Sequence, residues 1–245
     1  QKNWEKDNVL TGEIMKTLKS TEDRDFIFTV SVQGHGNYPE TQLIENPKIK
    51  VEGIEDEALK NKWEYYVNQV YEMDQFVGDL IKAVEARKEP SVVVFYGDHL
   101  PTMGLKAEDL KSRYLYNTNY VIWDNVGLQK QDKNIPAYQL MSEILNRLDI
   151  HSGTVFNYHQ QRKGTKNYLS DLELLQYDIL YGKQYVYNNH PPISEGHMVM
   201  GIRDVSLSSI VPQLSSGYSL YGENFTKYSR VYVNGEKQKS SFLNN

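Results

Sequence analysis

Apolar residues recur at helical spacing in several parts of the chain. The strongest pattern covers residues 57–87, where they form one stripe at three- and four-residue intervals, and Glu89-Pro90 follows it. Proline cannot continue the helical hydrogen-bond ladder, so the helix is predicted to end there. Weaker patterns predict an amphipathic helix over residues 4–18, a helix over residues 136–148 with Pro136 in its first turn, and a short helix and turn within residues 168–187.

Short apolar runs between these helices predict strands. Residues 26–32 read Phe-Ile-Phe-Thr-Val-Ser-Val and are expected to form a buried strand that leads into a Gln-Gly-His-Gly loop. Residues 91–96 form a continuous apolar run of the kind found in parallel strands covered on both faces, and residues 120–123 supply a third strand. The order strand, helix, strand, strand, helix is typical of an α/β fold.

The last part of the sequence has a different character. From residue 201 onward, apolar residues are scattered among Ser, Gly and Asn, and Asn234-Gly235 predicts a hairpin turn. The stretch before it contains Asn-Asn-His-Pro-Pro, which is typical of a linker. We therefore expect a catalytic-type domain over residues 1–187, a linker over 188–200, and a small β module over 201–245.

Composition narrows the classes of function. The 245-residue chain carries a net charge of −5 and no Lys/Arg cluster, which argues against nucleic-acid binding. It has no cysteine, so any metal must be held by oxygen and nitrogen ligands. No stretch reaches the roughly 18–20 apolar residues needed to span a bilayer. Because the chain opens on Gln1 within a helical pattern, we expect a soluble fragment of a longer protein.

Two loops carry the candidate chemistry, and each follows a predicted strand. His35 lies in the first loop and Asp98-His99 in the second. Ligands of α/β sheets bind outside the carboxyl ends of the strands, so the two loops should converge on one cleft. Imidazole and carboxylate groups together suit a divalent metal and an anionic substrate. The same residues are also compatible with a turn pair at Asp98-His99 and a surface-loop histidine at His35, so the pattern indicates no more than a metal-dependent α/β enzyme.

Two motifs resemble a known family. Phe-Thr-Val-Ser-Val-Gln-Gly-His-Gly-Asn-Tyr-Pro at residues 28–39 and Val-Val-Phe-Tyr-Gly-Asp-His-Leu-Pro at 93–101 resemble the paired motifs of lipoteichoic acid synthase-like phosphoglycerol transferases. That family belongs to the sulfatase/alkaline phosphatase superfamily, and residues 66–83 resemble its crossover helix. The resemblance covers residues 4–187 and implies a partial sulfatase-like α/β/α sandwich, with the C-terminal β module appended.

The resemblance also implies roles for particular residues. Asp98 and His99 match the pair that holds a divalent metal, usually Mn²⁺, with Mg²⁺ and Zn²⁺ as alternatives. His35 matches a histidine that contacts the glycerol phosphate group. Neither Thr29 nor Thr102 sits where the family has its nucleophilic threonine. We therefore expect that threonine, an acidic metal ligand and transmembrane helices upstream of Gln1, and a fragment that is inactive by itself and holds metal weakly.

The implied function is lipoteichoic acid-type synthesis, in which glycerol phosphate passes from phosphatidylglycerol to a lipid or glycan acceptor such as a cell-wall polymer. The implied location is the extracellular face of a bacterial cell membrane. Two alternatives remain: a phosphatase, phosphodiesterase or sulfatase of the same superfamily, or a catalytically silent wall-binding module. The β module resembles the opening half of a TIG-like immunoglobulin domain, and it equally fits an appendage that closes the sheet or dimerises. The other histidines are expected in loops or linkers, bonded locally or to solvent: His151, His159, His190 and His197.

Overall fold

The computed structural model describes residues 5–22, 24–188, 205–213 and 217–243. These residues divide into two compact units. The first contains residues 5–8 and 31–188, and the second contains the described parts of 9–30 and 205–243. The predicted linker, apart from Asn188, lies outside the described residues, as do His190 and His197. Nowhere in these described stretches is there a helix long and apolar enough to cross a membrane.

The longest helix of the first unit is α2 (Glu57–Ala86). The Asp56 carboxylate accepts hydrogen bonds from the backbone N–H groups of Ala58 and Leu59, which satisfies donors that the first helical turn leaves unpaired. Three apolar side chains four residues apart are buried on one face: Phe76, Leu80 and Val84. The predicted helix is confirmed, and it ends before Pro90 as expected.

Two strands of the first unit form an antiparallel sheet. Strand β1 (Val92–Tyr96) pairs with β2 (Tyr120–Asp124), with Val92 opposite Asp124 and Tyr96 opposite Tyr120. Both strands were predicted, but the expectation of a parallel strand covered on both faces is wrong for β1. Its residues are only partly buried, because β2 is its sole strand partner within the described residues.

The strand predicted at residues 26–32 is not present. Phe26, Phe28 and Val30 are 74%, 66% and 63% exposed, and no strand is assigned to this segment. A strand needs a neighbour to pair with its backbone N–H and C=O groups. Among the described residues this segment has no such ladder partner, so an apolar composition alone does not make it part of a sheet.

Three helices follow the sheet in the first unit: α3 (Leu140–Arg147), α4 (Thr154–Arg162) and α5 (Tyr168–Leu180). A short 3-10 helix, Ala137–Gln139, precedes α3, and another, Tyr185–Tyr187, follows α5; a third, Ala107–Asp109, lies between the strands. The predicted helix at residues 136–148 is therefore a 3-10 turn continued by α3. Helix α4 was not predicted, because its sequence Thr-Val-Phe-Asn-Tyr-His-Gln-Gln-Arg has no clear apolar stripe.

Helix α4 corrects the expectation for His159. This histidine is not in a loop but buried within α4, with Nδ1 2.6 Å from the Tyr168 hydroxyl. Gln139 donates a hydrogen bond to the same hydroxyl, which leaves the Tyr168 proton to be donated to His159. Burial lowers the pKa of His159, which favours its uncharged form. His151 lies in a loop as predicted and contacts Asp149 and Gln160.

Glu143 links the helices α3 and α4 to a neighbouring loop. Its carboxylate is 2.7 Å from Lys133 Nζ, 3.0 Å from Lys163 Nζ and 3.6 Å from Arg147 Nε. The Glu143 side chain is only 6% exposed. Burial by itself raises the pKa of this carboxyl, but the hydrogen bonds and charges of the two lysines outweigh burial and lower the pKa to about 2.

The second unit contains α1 (Asn8–Leu18), of which residues 9–18 belong to this unit, and two β-hairpins. Strand β3 (Ser206–Pro212) pairs with β4 (Tyr218–Glu223), and β5 (Val231–Val233) pairs with β6 (Glu236–Gln238), both antiparallel. Asn234 and Gly235 have φ angles of 52° and 83°, which are those of a two-residue hairpin turn. The predicted hairpin is confirmed.

Candidate active site

The loop that follows β1 orients Asp98 and His99 by local hydrogen bonds. Asp98 Oδ1 accepts a hydrogen bond of 2.8 Å from the backbone N–H of His99. Nδ1 of His99 lies 2.8 Å from the carbonyl oxygen of Leu100. Because a carbonyl can only accept, this contact assigns the proton to Nδ1 and leaves the lone pair on Nε2. A histidine that donates to a carbonyl through one nitrogen is arranged to bind a metal through the other.

The remaining ligand atoms of this pair are suitably spaced for one metal ion. Asp98 Oδ2 and His99 Nε2 are 3.5 Å apart, and both side chains are more than half exposed. Two ligands bound to one ion at about 2.1 Å in tetrahedral geometry lie roughly 3.4 Å apart. The two residues therefore fit a divalent metal as half of a ligand set. No group of three metal-binding side chains occurs in the part of the chain that the structure describes.

The first loop brings His35 to the same place. The rings of His35 and His99 lie 6.4 Å apart between centroids, at an angle of 79°. The loop is held by a hydrogen bond from the His35 N–H to the carbonyl of Val32 and by one from the Tyr38 hydroxyl to the carbonyl of Gly34. The structure thus brings His35 and His99 together, as the two matching loops predicted, although the first loop does not follow a strand.

A buried polar network fixes the position of the first loop. The Gln33 side chain is 2% exposed, and its carbonyl oxygen accepts a hydrogen bond of 2.7 Å from the backbone N–H of Asp7. Its amide nitrogen donates to Gln69, 3.1 Å away, and to Glu72. Both acceptors lie on α2. Gln33 therefore joins the segment before α1, the His35 loop and the long helix, and a fully bonded network of this kind gives a rigid local structure.

Sequence reasoning missed the role of Gln33. A polar residue directly before a Gly-His-Gly loop has the composition of an exposed turn. Its burial depends on Asp7 and Gln69, which are far from it in sequence, so no local signal could have revealed it.

Thr102 closes the space next to Gly36. A Cβ atom added to Gly36 would lie 2.9 Å from Thr102 Oγ1, closer than ordinary contacts allow. Thr102 therefore lies beside the His35 loop, three residues after His99. Thr29 lies in the exposed segment without a strand.

We expect Gly36→Ala to displace the His35 loop, because the new methyl group meets Thr102. The imidazole signals of His35 and His99 in NMR spectra should shift, and melting should occur at a lower temperature. The double variant Gly36→Ala/Thr102→Ala should recover most of both effects, since it removes the crowding atom. Gly78→Ala is the control, because a Cβ at this helical position meets nothing within 4 Å. Spectra of Gly36→Ala identical to those of the wild type would contradict the close approach.

Comparison with known proteins identifies the family. A family model described as Sulfatase matches residues 1–150, which include both candidate loops. The chain therefore belongs to the sulfatase family, within the sulfatase/alkaline phosphatase-like superfamily, and the resemblance in its two motifs is confirmed at that level. Members of this superfamily are generally metal-dependent, and they include transferases and hydrolases.

One curated relative extends the comparison. The chain is 29% identical to a protein of Rhizobium meliloti (strain 1021) named "Putative cyclic beta-1,2-glucan modification protein". The match covers 73% of this chain and 34% of the relative, so the chain spans about a third of that protein's length. No solved structure matches the chain significantly. The α/β class of the fold is supported by the family match and by the mixture of helices and small antiparallel sheets.

Proposed function

We propose that this chain is part of a metal-dependent phosphoglycerol transferase at the extracellular face of a bacterial membrane, with a sulfatase-like α/β/α sandwich as its catalytic domain. The enzyme would move glycerol phosphate from phosphatidylglycerol to a glycan or lipid acceptor. The observation that carries the proposal is the 3.5 Å separation of Asp98 Oδ2 and His99 Nε2, together with the His35 ring 6.4 Å from that of His99. The glucan in the name of the Rhizobium meliloti relative favours a glycan as the acceptor.

In this proposal Asp98 and His99 hold a divalent metal, Mn²⁺ first and Mg²⁺ or Zn²⁺ as alternatives. When bound, such a metal neutralises charge on phosphoryl oxygens and makes a hydroxyl a better nucleophile. The other ligands, and the threonine that attacks phosphorus, are proposed to lie upstream of Gln1. The threonine oxygen would bond to phosphorus as the bond to the diacylglycerol oxygen breaks, and diacylglycerol would take up a proton. The acceptor hydroxyl would then displace the threonine, which regains its proton.

His35 is proposed to bind the phosphoryl group. Its ring is on a different loop from Asp98 and His99. The flanking Gly34 and Gly36 have no side chains, so the backbone beside His35 can approach a phosphate group closely. An imidazole N–H there would donate a hydrogen bond to a phosphoryl oxygen as negative charge develops on it.

The proposed reaction is tested with a protein extended upstream to include the predicted threonine. Incubated with Mn²⁺, fluorescent phosphatidylglycerol and a soluble β-glucan, it should release fluorescent diacylglycerol and form a glucan that carries glycerol phosphate, which mass spectrometry detects. Hydrolysis of phosphatidylglycerol without transfer would assign a phosphodiesterase instead. Turnover of an aryl sulfate, with phosphatidylglycerol left intact, would assign a sulfatase.

We expect His35→Ala in that extended protein to lower kcat/KM at least about a hundredfold, as the loss of one hydrogen-bond donor to a developing oxyanion typically does. Mn²⁺ affinity, measured by titration calorimetry, should stay unchanged. His151→Ala is the matched control, because this exposed loop histidine lies within hydrogen-bond distance of Asp149 and Gln160 and is not part of the candidate active site. Loss of Mn²⁺ binding in His35→Ala would make His35 a metal ligand and contradict the assigned role.

A further inference from the structure

A cleft of the first unit lies between the loop at residues 43–48 and α2. Its volume is about 520 Å³. The residues that line it include Tyr65, Tyr71, Asn46 and Gln75. None of these four residues belongs to the Asp98-His99 pair or to the His35 loop, which together form the candidate active site.

The cleft is preformed, because a buried amide fixes its loop to the helix. Asn68 Oδ1 accepts hydrogen bonds from the backbone N–H groups of Lys48 and Ile49, at 2.8 and 3.1 Å. Its nitrogen donates to the carbonyl groups of Ile49 and Glu64, at 2.7 and 2.8 Å. Asn68 itself is 4% exposed, and its four hydrogen bonds to the loop and the helix are partly buried. A site that needs no ordering on binding loses less entropy when it takes a ligand.

The lining chemistry matches a neutral polyhydroxylated ligand. Two half-buried tyrosines offer flat faces and hydroxyls, and Gln75 already orients Tyr71 by donating to its hydroxyl at 3.2 Å. Amide groups donate to and accept from ligand hydroxyls equally well. Lys6 and Glu72 form an ion pair, so Lys48 is the one lining cation without a salt bridge to the described residues. A polyanion would need more positive charge, and an acyl chain would need more apolar lining than Leu43 and Ile44 supply.

The cleft and the candidate active site share two supporting residues. Gln69 and Glu72 line the cleft and also accept the hydrogen bonds of Gln33, two residues before His35. A ligand in the cleft would therefore lie against the same part of α2 that positions the His35 loop.

We propose that this cleft binds a neutral oligosaccharide, and that the oligosaccharide is the acceptor glycan. The second part rests on the proposed function. The cleft would hold sugar units through stacking on Tyr65 and Tyr71 and through hydrogen bonds to Asn46 and Gln75, while a hydroxyl further along the glycan receives the transferred group.

The test is titration calorimetry of the 245-residue chain with a short β-1,2-linked gluco-oligosaccharide. Tyr65→Ala and Tyr71→Ala should each weaken binding about tenfold, which corresponds to about 1.4 kcal/mol. Tyr181→Ala, which removes an exposed tyrosine of the same unit, should leave binding unchanged. Circular dichroism checks that each variant is folded. Gln75→Ala, at an exposed position on α2, keeps both rings but removes the side-chain amide and its hydrogen bond to the Tyr71 hydroxyl, and it should also weaken binding.

The charge of the ligand is tested separately with Lys48→Gln and with glycerol phosphate as a second probe. Lys48→Gln removes the charge but keeps a hydrogen-bonding side chain, so a neutral ligand should lose less affinity in this variant than in Tyr65→Ala or Tyr71→Ala. Tighter binding of glycerol phosphate than of the oligosaccharide, lost in Lys48→Gln, would overturn the proposal in favour of an anion site. The proposal would also be overturned if the oligosaccharide did not bind, or if the alanine substitutions of the two tyrosines and Gln75 left its affinity unchanged.

Failure here is distinguishable from failure of the proposed function, because the binding measurement needs neither metal nor catalysis. If oligosaccharide binds the cleft but no glycerol phosphate is transferred, only the proposed reaction fails. If transfer occurs and Tyr65→Ala and Tyr71→Ala leave the KM for the glucan unchanged, only the assignment of the cleft to the acceptor fails.

Discussion

Asp98→Ala or His99→Ala should each reduce turnover at least about a thousandfold, close to 4 kcal/mol in activation free energy, in a protein that carries the upstream threonine. Each substitution removes one of two ligand atoms that are 3.5 Å apart. The metal would then lose both affinity and its position relative to the substrate. Rates of glycerol phosphate transfer at saturating Mn²⁺, together with Mn²⁺ titrations, measure the two effects.

Controls for these substitutions come from similar residues elsewhere in the first unit. Asp132→Ala changes a carboxylate that is 90% exposed and 3.9 Å from Lys130, and His151→Ala changes an exposed histidine. Both should keep the wild-type rate, and all four variants should melt at nearly the same temperature because Asp98 and His99 are exposed. Wild-type turnover in Asp98→Ala would show that the metal, if required, is held elsewhere.

Glu143→Gln should lower the free energy of unfolding by about 3 to 5 kcal/mol at pH 7. The substitution leaves Lys133, Lys163 and Arg147 around a neutral amide, so buried or half-buried cations lose their counter-ion. Urea denaturation followed by circular dichroism measures the loss. Glu173→Gln, at an exposed position of α5, is the matched control and should change stability by less than about 0.5 kcal/mol.

The pH dependence of the stability difference between the wild type and Glu143→Gln gives an independent check of the lowered Glu143 pKa. The pKa of Glu143 is about 2 in the folded protein and 4.5 without the fold, so ionised Glu143 favours the folded state. A depressed pKa contributes stability above pH 4.5 that is lost as the pH falls toward 2, and this shift corresponds to about 3 kcal/mol. The stability difference between wild type and Glu143→Gln should therefore shrink across that range. A difference that stays constant from pH 7 to pH 2.5 would contradict the lowered pKa.

The sequence predicts those parts of the fold that depend on long periodic patterns and on strong local signals. Helix α2 combines a thirty-residue apolar stripe, a capping aspartate and a following proline, and each of these signals is local. The Asn234-Gly235 hairpin is likewise fixed by two residues that adopt positive φ angles easily. Features of this kind need no knowledge of the rest of the chain.

Elements that depend on distant partners were predicted less well. Residues 26–32 have a strand-like composition, but a strand exists only beside another strand, and the described residues supply none. Helix α4 was missed because its buried side includes His159, a polar residue whose partner Tyr168 lies on α5. The candidate site was predicted in outline from two motifs, whereas the Gln33 network that positions its first loop depends on contacts that are remote in sequence.

The most direct measurement is anomalous X-ray diffraction at the manganese edge from crystals of the upstream-extended protein grown with Mn²⁺. We expect one strong anomalous peak at about 2.0–2.2 Å from both Asp98 Oδ2 and His99 Nε2, with the His35 ring nearby but outside bonding distance. The peak should be absent from crystals of His99→Ala. A manganese peak bound by other residues, with Asp98 and His99 forming only their hydrogen bonds to each other and to Leu100, would contradict the assignment of this pair as the metal site.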